Sequence, residues 1–468
     1  MNSSTGSEER EAAQQFLADN KINRIRVQGI QPDSLPIGKI LHPRTFLSCL
    51  ESGVGIVDYA FGTDRAGEPA FGFSADWRST VMGDVHLVPD LSTLVVVPEA
   101  DGLAMCLADA IDAEGKPIPV CGRGLVRGLS EQLAAKGYQS LFAFELEGQF
   151  FERSFAENRA AGWKRLTPFG VASMVPYLVQ DLHRLDDVMT EICSRLDGYG
   201  VPWEAWNAEA AAGQFELNLM PTGPLAAADH VILARQVCKE VAFERGLSVT
   251  FMARVTQDYG NGLHVHHSLQ DESGPVFFDP AEDDNLSVTA RHWLAGLMAT
   301  LQGSVSIMVP TPNSFRRAEP FKAVPTHATW DMDNKSTALR VLSGSAGSAR
   351  IEHRVGAGDV HPHFAAAVIL AGGLAGLDDK VEPPAKFTKM AWGLPSGPGY
   401  PEELARSVPA AGEALGADER LRRMLGDGFV DYWIGLRRFE WLAFNTGGGD
   451  AASPAPTPWE LDRYFETL

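Results

Sequence analysis

Ile25 and Val27 alternate with Arg24, Arg26 and Gln28, the period-two pattern of a half-buried strand. Proline and glycine punctuate the chain from Pro36 to Lys39, and a β-rich run from Thr93 to Val97 ends at Pro98. The pattern then changes. Residues 124–136 read as an amphipathic helix and 141–151 as a strand, and strands and long helices mix from there on. Residues 227–245 are predicted helical and lead into a strand at 247–255, while 362–377 form an Ala-rich helix with proline in its first turn. Phe429, Trp433, Leu436, Phe439 and Ala443 fall at helical spacing and read as core packing. Residues 447–458 are rich in Gly, Ala, Ser and Pro and read as a loop, before a docked terminal helix from Trp459 to Phe465.

This organisation divides the chain into a small sheet-rich domain, 15–108, after a polar tail, and a large mixed domain, 115–468. The 468 residues, 45% of them hydrophobic, supply a sizeable core. No run approaches the ~20 apolar residues that span a bilayer, and the start lacks a signal peptide's basic and apolar segments, so the cytoplasm is the expected compartment. The net charge of −20, without a basic patch, disfavours nucleic acid and anionic membranes. Cys49, Cys106, Cys121, Cys193 and Cys238 are odd in number, scattered and without a CxxC pair, which reads as reduced, mostly buried thiols.

Several spacings carry chemistry. Glu145 and Glu147 stand two apart in an apolar strand, so both carboxylates leave one face, and two like charges on a buried face need a cation. An exposed strand face accounts for that pair equally well. Glu209 and Glu216 bracket a short segment, and Glu216 opens another alternating run. His264 and His266 repeat the two-residue step behind the glycine-rich turn 260–262. Arg350, Glu352 and Arg354 share a strand face, which an ion-pair ladder would also explain. A carboxylate-rich set with one imidazole suits Mg²⁺ or Mn²⁺ better than zinc, and neighbouring arginines suit phosphate and carboxylate groups.

Five segments in this order, FELEGQFFE, EAAAGQFELNL, TFMARVTQDYGNGLHVHHSL, PNSFRRAEP followed by DNKSTALRV, and ARIEHR followed by HPHFAAAVILAGGLAGL, resemble the catalytic segments of glutamine synthetases. The resemblance covers residues 20 to 468. It implies an α+β fold: a β-grasp-like N-terminal domain, then a large α/β catalytic domain whose antiparallel sheet forms a metal-lined funnel. It also implies ATP as substrate, two or three Mg²⁺ or Mn²⁺ ions per site, and a homo-oligomer, usually a dodecamer of two stacked rings with active sites between subunits.

By the same resemblance, Glu147, Glu209 and Glu216 hold one metal, and Glu145, His264 and Glu352 the second. ATP lies against His266 and Ser268, with Arg340 and Arg350 near its phosphates. Tyr259, Gly260, Arg317, Lys335 and Arg354 surround glutamate, and Arg317, Arg340 and Lys335 act on the transferring phosphoryl group. The implied reaction phosphorylates the glutamate γ-carboxylate and lets an amine displace the phosphate.

The departures lie at the acceptor. The DGSS loop that helps bind ammonium is replaced by the run from Phe71 to Arg78, and the GYF segment by Gly170, Val171 and Ala172. The flap glutamate gives way to Lys322, a glutamate-contacting asparagine to Tyr259, and an arginine to Lys335, which keeps the charge but not a bidentate fork. Fewer acids beside intact phosphoryl-transfer residues point to the branch that makes γ-glutamylamides of polyamines, alkylamines or aniline. A hydrophobic monoamine, aryl or alkyl, is favoured over a polyamine if Phe71, Phe73, Asp76, Trp77 and Lys322 form the acceptor pocket, because Lys322 repels a polycation. Core packing would equally explain those aromatics. Ammonia-using glutamine synthetase is the second reading, and a non-catalytic oligomer a distant third.

Overall fold

The computed structural model describes residues 5–70, 82–172, 174–319 and 322–468. Phe71, Phe73, Asp76 and Trp77, four of the expected acceptor residues, lie outside them.

The residues read as a polar tail form a helix, Thr5–Asp19. Its good helix formers leave Ala13 and Leu17, four apart, buried against the first sheet's small core. That sheet contains β1 (Arg24–Ile30), β2 (Pro36–Leu41), β3 (Val54–Val57), β4 (Asp84–Pro89), β5 (Val95–Val96) and β6 (Leu103–Ile111). Its order is β2-β1-β6-β4-β3, with β5 also paired to β6. Residues 36–39, expected only to punctuate the chain, are part of a strand. Pro36 opens β2 at the sheet edge, where a missing N–H costs no ladder bond. Ile25 and Val27 are fully buried, as their alternation predicts, whereas Gln28 is buried too and donates to Gln236 Oε1 at 3.1 Å.

The second sheet contains β7 (Gln139–Phe151), β8 (Trp203–Ala208), β9 (Gln214–Leu219), β10 (Ser248–Thr250), β11 (Leu263–Asp271), β12 (Gly274–Pro275), β13 (Trp330–Met332), β14 (Leu339–Leu342) and β15 (Arg350–His353). Its order is β13-β14-β15-β11-β7-β9-β8, antiparallel except at β13–β14. Helices Gly122–Ala135, Pro224–Glu244 and Pro362–Asp379 cover one face, and the shared core includes Phe142, Phe144 and Leu146 of β7. β10 is shorter than the predicted 247–255 strand. Beyond Thr250 the backbone leaves the ladder, with Arg254 N–H donating to Asn313 Oδ1 at 2.9 Å and Asn261 N–H to Ala253 O at 2.9 Å.

The C-terminal helix Asp427–Gly447 serves both cores, Phe429 and Trp433 joining the large one and Tyr432 and Leu436 the small one. A buried Arg123 ties the sheets together through Asp90 at 2.8 Å, Asp109 at 2.5 Å and Asp229 at 3.1 Å. No helix among the described residues is long and apolar enough to cross a membrane.

Candidate active site

Pleating sends Glu145 and Glu147 of β7 to the face opposite Phe144 and Leu146. Antiparallel register then supplies their partners. Glu145 lies directly across from His264 of β11, and Glu147 across from Glu216 of β9. Farther along, Glu352 of β15 pairs with His266 on one side and with Arg340 of β14 on the other. Residues distant in sequence thus meet on one sheet face.

Two clusters result, each with its ligand atoms within 4.8 Å of one another: Glu145, His264 and Glu352, and Glu147, Glu216 and His264. The first is the expected triple. The second contains the expected Glu147 and Glu216 but draws its third member from His264. Glu209 follows β8 and turns its carboxylate to Ala210 N–H at 3.0 Å and Asn207 Nδ2 at 3.3 Å, within the same cavity.

That cavity has a volume of about 540 Å³ and is lined by all six acids and histidines together with Tyr259, Gly260, Arg317, Lys322, Lys335, Arg340 and Arg354. His266 stands beside it, Nε2 2.8 Å from Glu145 Oε1. Ser268 is one strand step farther out, and Arg350 turns to His266 Nδ1 at 3.1 Å, so neither lines the cavity. A larger cavity, about 950 Å³, lies elsewhere and includes none of the expected site residues. Its acids Asp90 and Asp229 are already paired with Arg123.

The crowded acids of the smaller cavity perturb one another. Burial, then repulsion from Glu145, Glu147 and Glu209, pushes the Glu216 carboxyl up to about 9. Burial and Glu147 push Glu209 up to about 7. Glu145 is also buried, but hydrogen bonds to His264 and His266 outweigh this and hold it well below the usual carboxylate range. Burial likewise opposes the Arg354, His264 and His266 charges that hold Glu352 down. Crowded oxygen donors whose protonation relieves mutual repulsion are the donor set of a hard dication, and these residues fit one.

Residues 119–464 match the family described as glutamine synthetase, catalytic domain. The chain belongs to the glutamine synthetase family. It is an enzyme, a ligase of the glutamine synthetase type. It is 28% identical to a glutamate–isopropylamine ligase of Pseudomonas sp, over 97% of each chain, and 29% identical to a γ-glutamylanilide synthase of Acinetobacter sp, over 98% of this chain and 97% of the relative. A solved structure of a GmaS/ADP complex shares the fold with a TM-score of 0.80 and 24% identity, over 96% of this chain and 97% of that one.

Within this glutamine synthetase fold, Arg317 follows the short helix Pro312–Phe315, which Thr311 caps and Asp359 anchors through Thr311 Oγ1 at 2.8 Å and Ser314 Oγ at 2.7 Å. Its Nη2 lies 3.3 Å from His264 Nε2, and burial pushes the guanidinium down to about 10. A Cβ at Gly260 would overlap the backbone Ala253 O, so that position requires glycine for close approach, and one at Gly262 would displace the tip of the Arg317 side chain. Arg340 donates to Glu352 Oε2 at 3.0 Å, and Arg354 is paired with Glu352 Oε1. Lys322 Nζ sits 5.2 Å above the Tyr259 ring.

Sequence reasoning assigned no role to Gln214 or Tyr177. Gln214 Nε2 bridges Glu147 Oε2 at 3.1 Å, Gly260 O at 3.1 Å and Asn261 Oδ1 at 3.0 Å. Its place inside the EAAAGQFELNL segment was the available signal. Tyr177 lines the cavity at φ 64°, and burial with the Glu209, Glu216, Glu145 and Glu147 charges pushes its phenol up to about 12.

Proposed function

We propose that this enzyme uses ATP to join the γ-carboxyl of glutamate to a hydrophobic monoamine, alkyl or aryl, giving a γ-glutamylamide, ADP and phosphate through γ-glutamyl phosphate. The observation carrying this reading is the convergence of Glu145, Glu147, Glu209, Glu216, His264 and Glu352 with Arg317, Lys335, Arg340 and Arg354 in one cavity.

A carboxylate is a poor electrophile until phosphorylated, and glutamate and a triphosphate repel each other. Mg²⁺ or Mn²⁺ held by Glu145, His264 and Glu352, and by Glu147, Glu216 and Glu209, supplies charge neutralisation when bound. Glu352 accepts from both Arg340 and Arg354, and Asp333 accepts from Arg340 Nε at 2.9 Å and Nη2 at 2.5 Å, so Arg340 is held from two sides while Arg354 keeps more donors for anionic oxygens. Arg317, Lys335, Tyr259 and Gly260 line the cavity, and these residues hold glutamate in line for phosphoryl transfer. His266, Ser268 and Arg350 run outward along β11 and β15, which suits a nucleotide extending from the cavity.

The acceptor reading rests on the remaining lining of the cavity. Met174, Pro176, Tyr177, Val324 and Trp392 supply an apolar lining, and Lys322 is fixed over Tyr259. A second positive charge on the acceptor would be repelled there, whereas a monoamine attacks as the neutral base. Its relatives named for isopropylamine and anilide support the same class. We place the β-grasp-like domain at 15–108 and the catalytic domain at 115–468, in a ring-forming homo-oligomer, probed by sedimentation.

Phosphate release from ATP and glutamate, measured with isopropylamine, aniline, putrescine and ammonium in turn, tests the assignment. A monoamine is expected to give the highest kcat/KM. Putrescine or ammonium as clearly the best substrate would overturn the acceptor reading.

A further inference from the structure

A third cavity, of about 200 Å³, lies between the β1–β2 turn and helix Pro224–Glu244. Leu35, Pro36, Ile232, Phe251 and Leu468 give it an apolar lining, interrupted by two cations, Arg235 and Lys239, with Ser34, Gln236, Glu240 and Thr467 completing the wall. Arg235 is 8% exposed. It donates only to neutral oxygens, Ser34 Oγ at 3.0 Å, Gly358 O at 2.7 Å and Val360 O at 3.1 Å, and its Nε has no partner. Lys239 Nζ donates to a backbone carbonyl, Glu466 O, at 2.9 Å.

Among the described residues no carboxylate forms an ion pair with either cation, and Glu466, whose charge acts on Lys239, pairs with Arg159. The nearby acids are engaged elsewhere. Glu240 on the cavity wall pairs with Arg26 at 3.3 Å and accepts from Gln236 at 2.8 Å, and Asp359 accepts from Thr311 and Ser314. A buried guanidinium without a counter-charge is costly, and an unpaired N–H adds to that cost. Arg65, buried and paired at 3.9 Å with Asp33 Oδ1, adds its charge to theirs. Consistent with this, burial pushes Arg235 down to about 9, and burial with the Arg65 and Arg235 charges pushes Lys239 down to about 7.

We propose that this cavity binds a small aliphatic monocarboxylate, its carboxylate against Lys239 Nζ and the lining edge of the Arg235 guanidinium and its tail on the apolar lining. The volume of about 200 Å³ holds roughly six water-sized groups at ~30 Å³ each, the size of butyrate. A multiply charged anion is a poorer fit, because its remaining oxygens would face Leu35, Ile232 and Phe251 unpaired. The site is separate from the catalytic cavity, and it stands whether or not the acceptor assignment does.

Calorimetric titration of the full-length protein tests it, with saturating glutamate present so that the substrate's own carboxylate pocket is filled. Butyrate is expected to bind saturably, with butyramide, its neutral isostere, and inorganic phosphate each at least about tenfold weaker. Leu35→Trp, which fills the cavity from a half-exposed position, is expected to abolish butyrate binding while melting like the parent. Arg235→Met should do the same; if it fails to fold, Leu35→Trp decides. No saturable butyrate binding, equal affinity for butyramide or phosphate, or undiminished binding by folded Leu35→Trp would overturn the proposal.

Discussion

Glu145 and His264 face each other directly across β7 and β11, with the imidazole Nδ1 3.1 Å from the carboxylate Oε2. One such pair is a cross-strand contact. The same sheet face repeats it with Glu147 opposite Glu216 and Glu352 opposite His266, so strand register assembles the anionic floor of the cavity. A one-residue slip of either neighbour would send its ligand to the buried face.

Crowding of these acids sets a pH signature. Glu216 and Glu209 are pushed up to about 9 and about 7 from an ordinary 4.5, so the cation-free native state keeps protons that the unfolded chain has released. With more protons bound in the native state, unfolding free energy falls as pH rises through that window. Calorimetry without divalent cations should show Tm falling between pH about 5 and about 9. Glu216→Gln should flatten the decline, excess Mn²⁺ should restore stability at the alkaline end, and Mn²⁺ binding near neutral pH should release protons.

Gln214 Nε2 donates to Glu147 Oε2, a carboxylate of the proposed metal site. Gln214→Leu removes the amide that bridges Glu147, Gly260 and Asn261. The expected result is a rise of about 10- to 100-fold in the divalent-cation concentration for half-maximal activity, with a much smaller change in KM for ATP.

Gly262 leaves the room that the Arg317 guanidinium occupies. A methyl group there overlaps Arg317 Nη2 and crowds His264 Nε2, so Gly262→Ala should lower kcat at least about 100-fold by displacing both groups. Circular dichroism should show the fold retained, with a stability loss of about 1–3 kcal/mol.

Under the proposed acceptor reading, the Lys322 charge disfavours a polycationic amine. Lys322→Glu should lower KM for putrescine about tenfold and raise that for isopropylamine, with little change in KM for ATP. Unaltered ratios would remove Lys322 from the acceptor site.

Much of this site is legible in sequence because strand periodicity is. The two-residue steps at Glu145 and Glu147, and at His264 and His266, report a shared face whenever the strand is real. Which residues meet across strands is not legible, since Glu145 and His264 are brought together by pairing over 119 positions. That is why the metal groups read one way by resemblance, with Glu209 beside Glu147 and Glu216, while His264 stands in both clusters. Tyr177 carries no periodic signal, because it enters the cavity from an irregular segment at positive φ. The helix Thr5–Asp19 reads as a tail because its apolar stripe is limited to a few positions, and packing against the first sheet decides its conformation.

The most direct test is a crystal of the full-length enzyme soaked in Mn²⁺ and measured at the manganese absorption edge. Expected are two anomalous peaks in the cavity, at coordination distances of roughly 2.0–2.3 Å, one bound by Glu145, His264 and Glu352 and the other by Glu147 and Glu216 with Glu209 drawn in. Saturated crystals with no manganese among these six side chains, or with the carboxylates coordinating in separate places, would contradict the assignment.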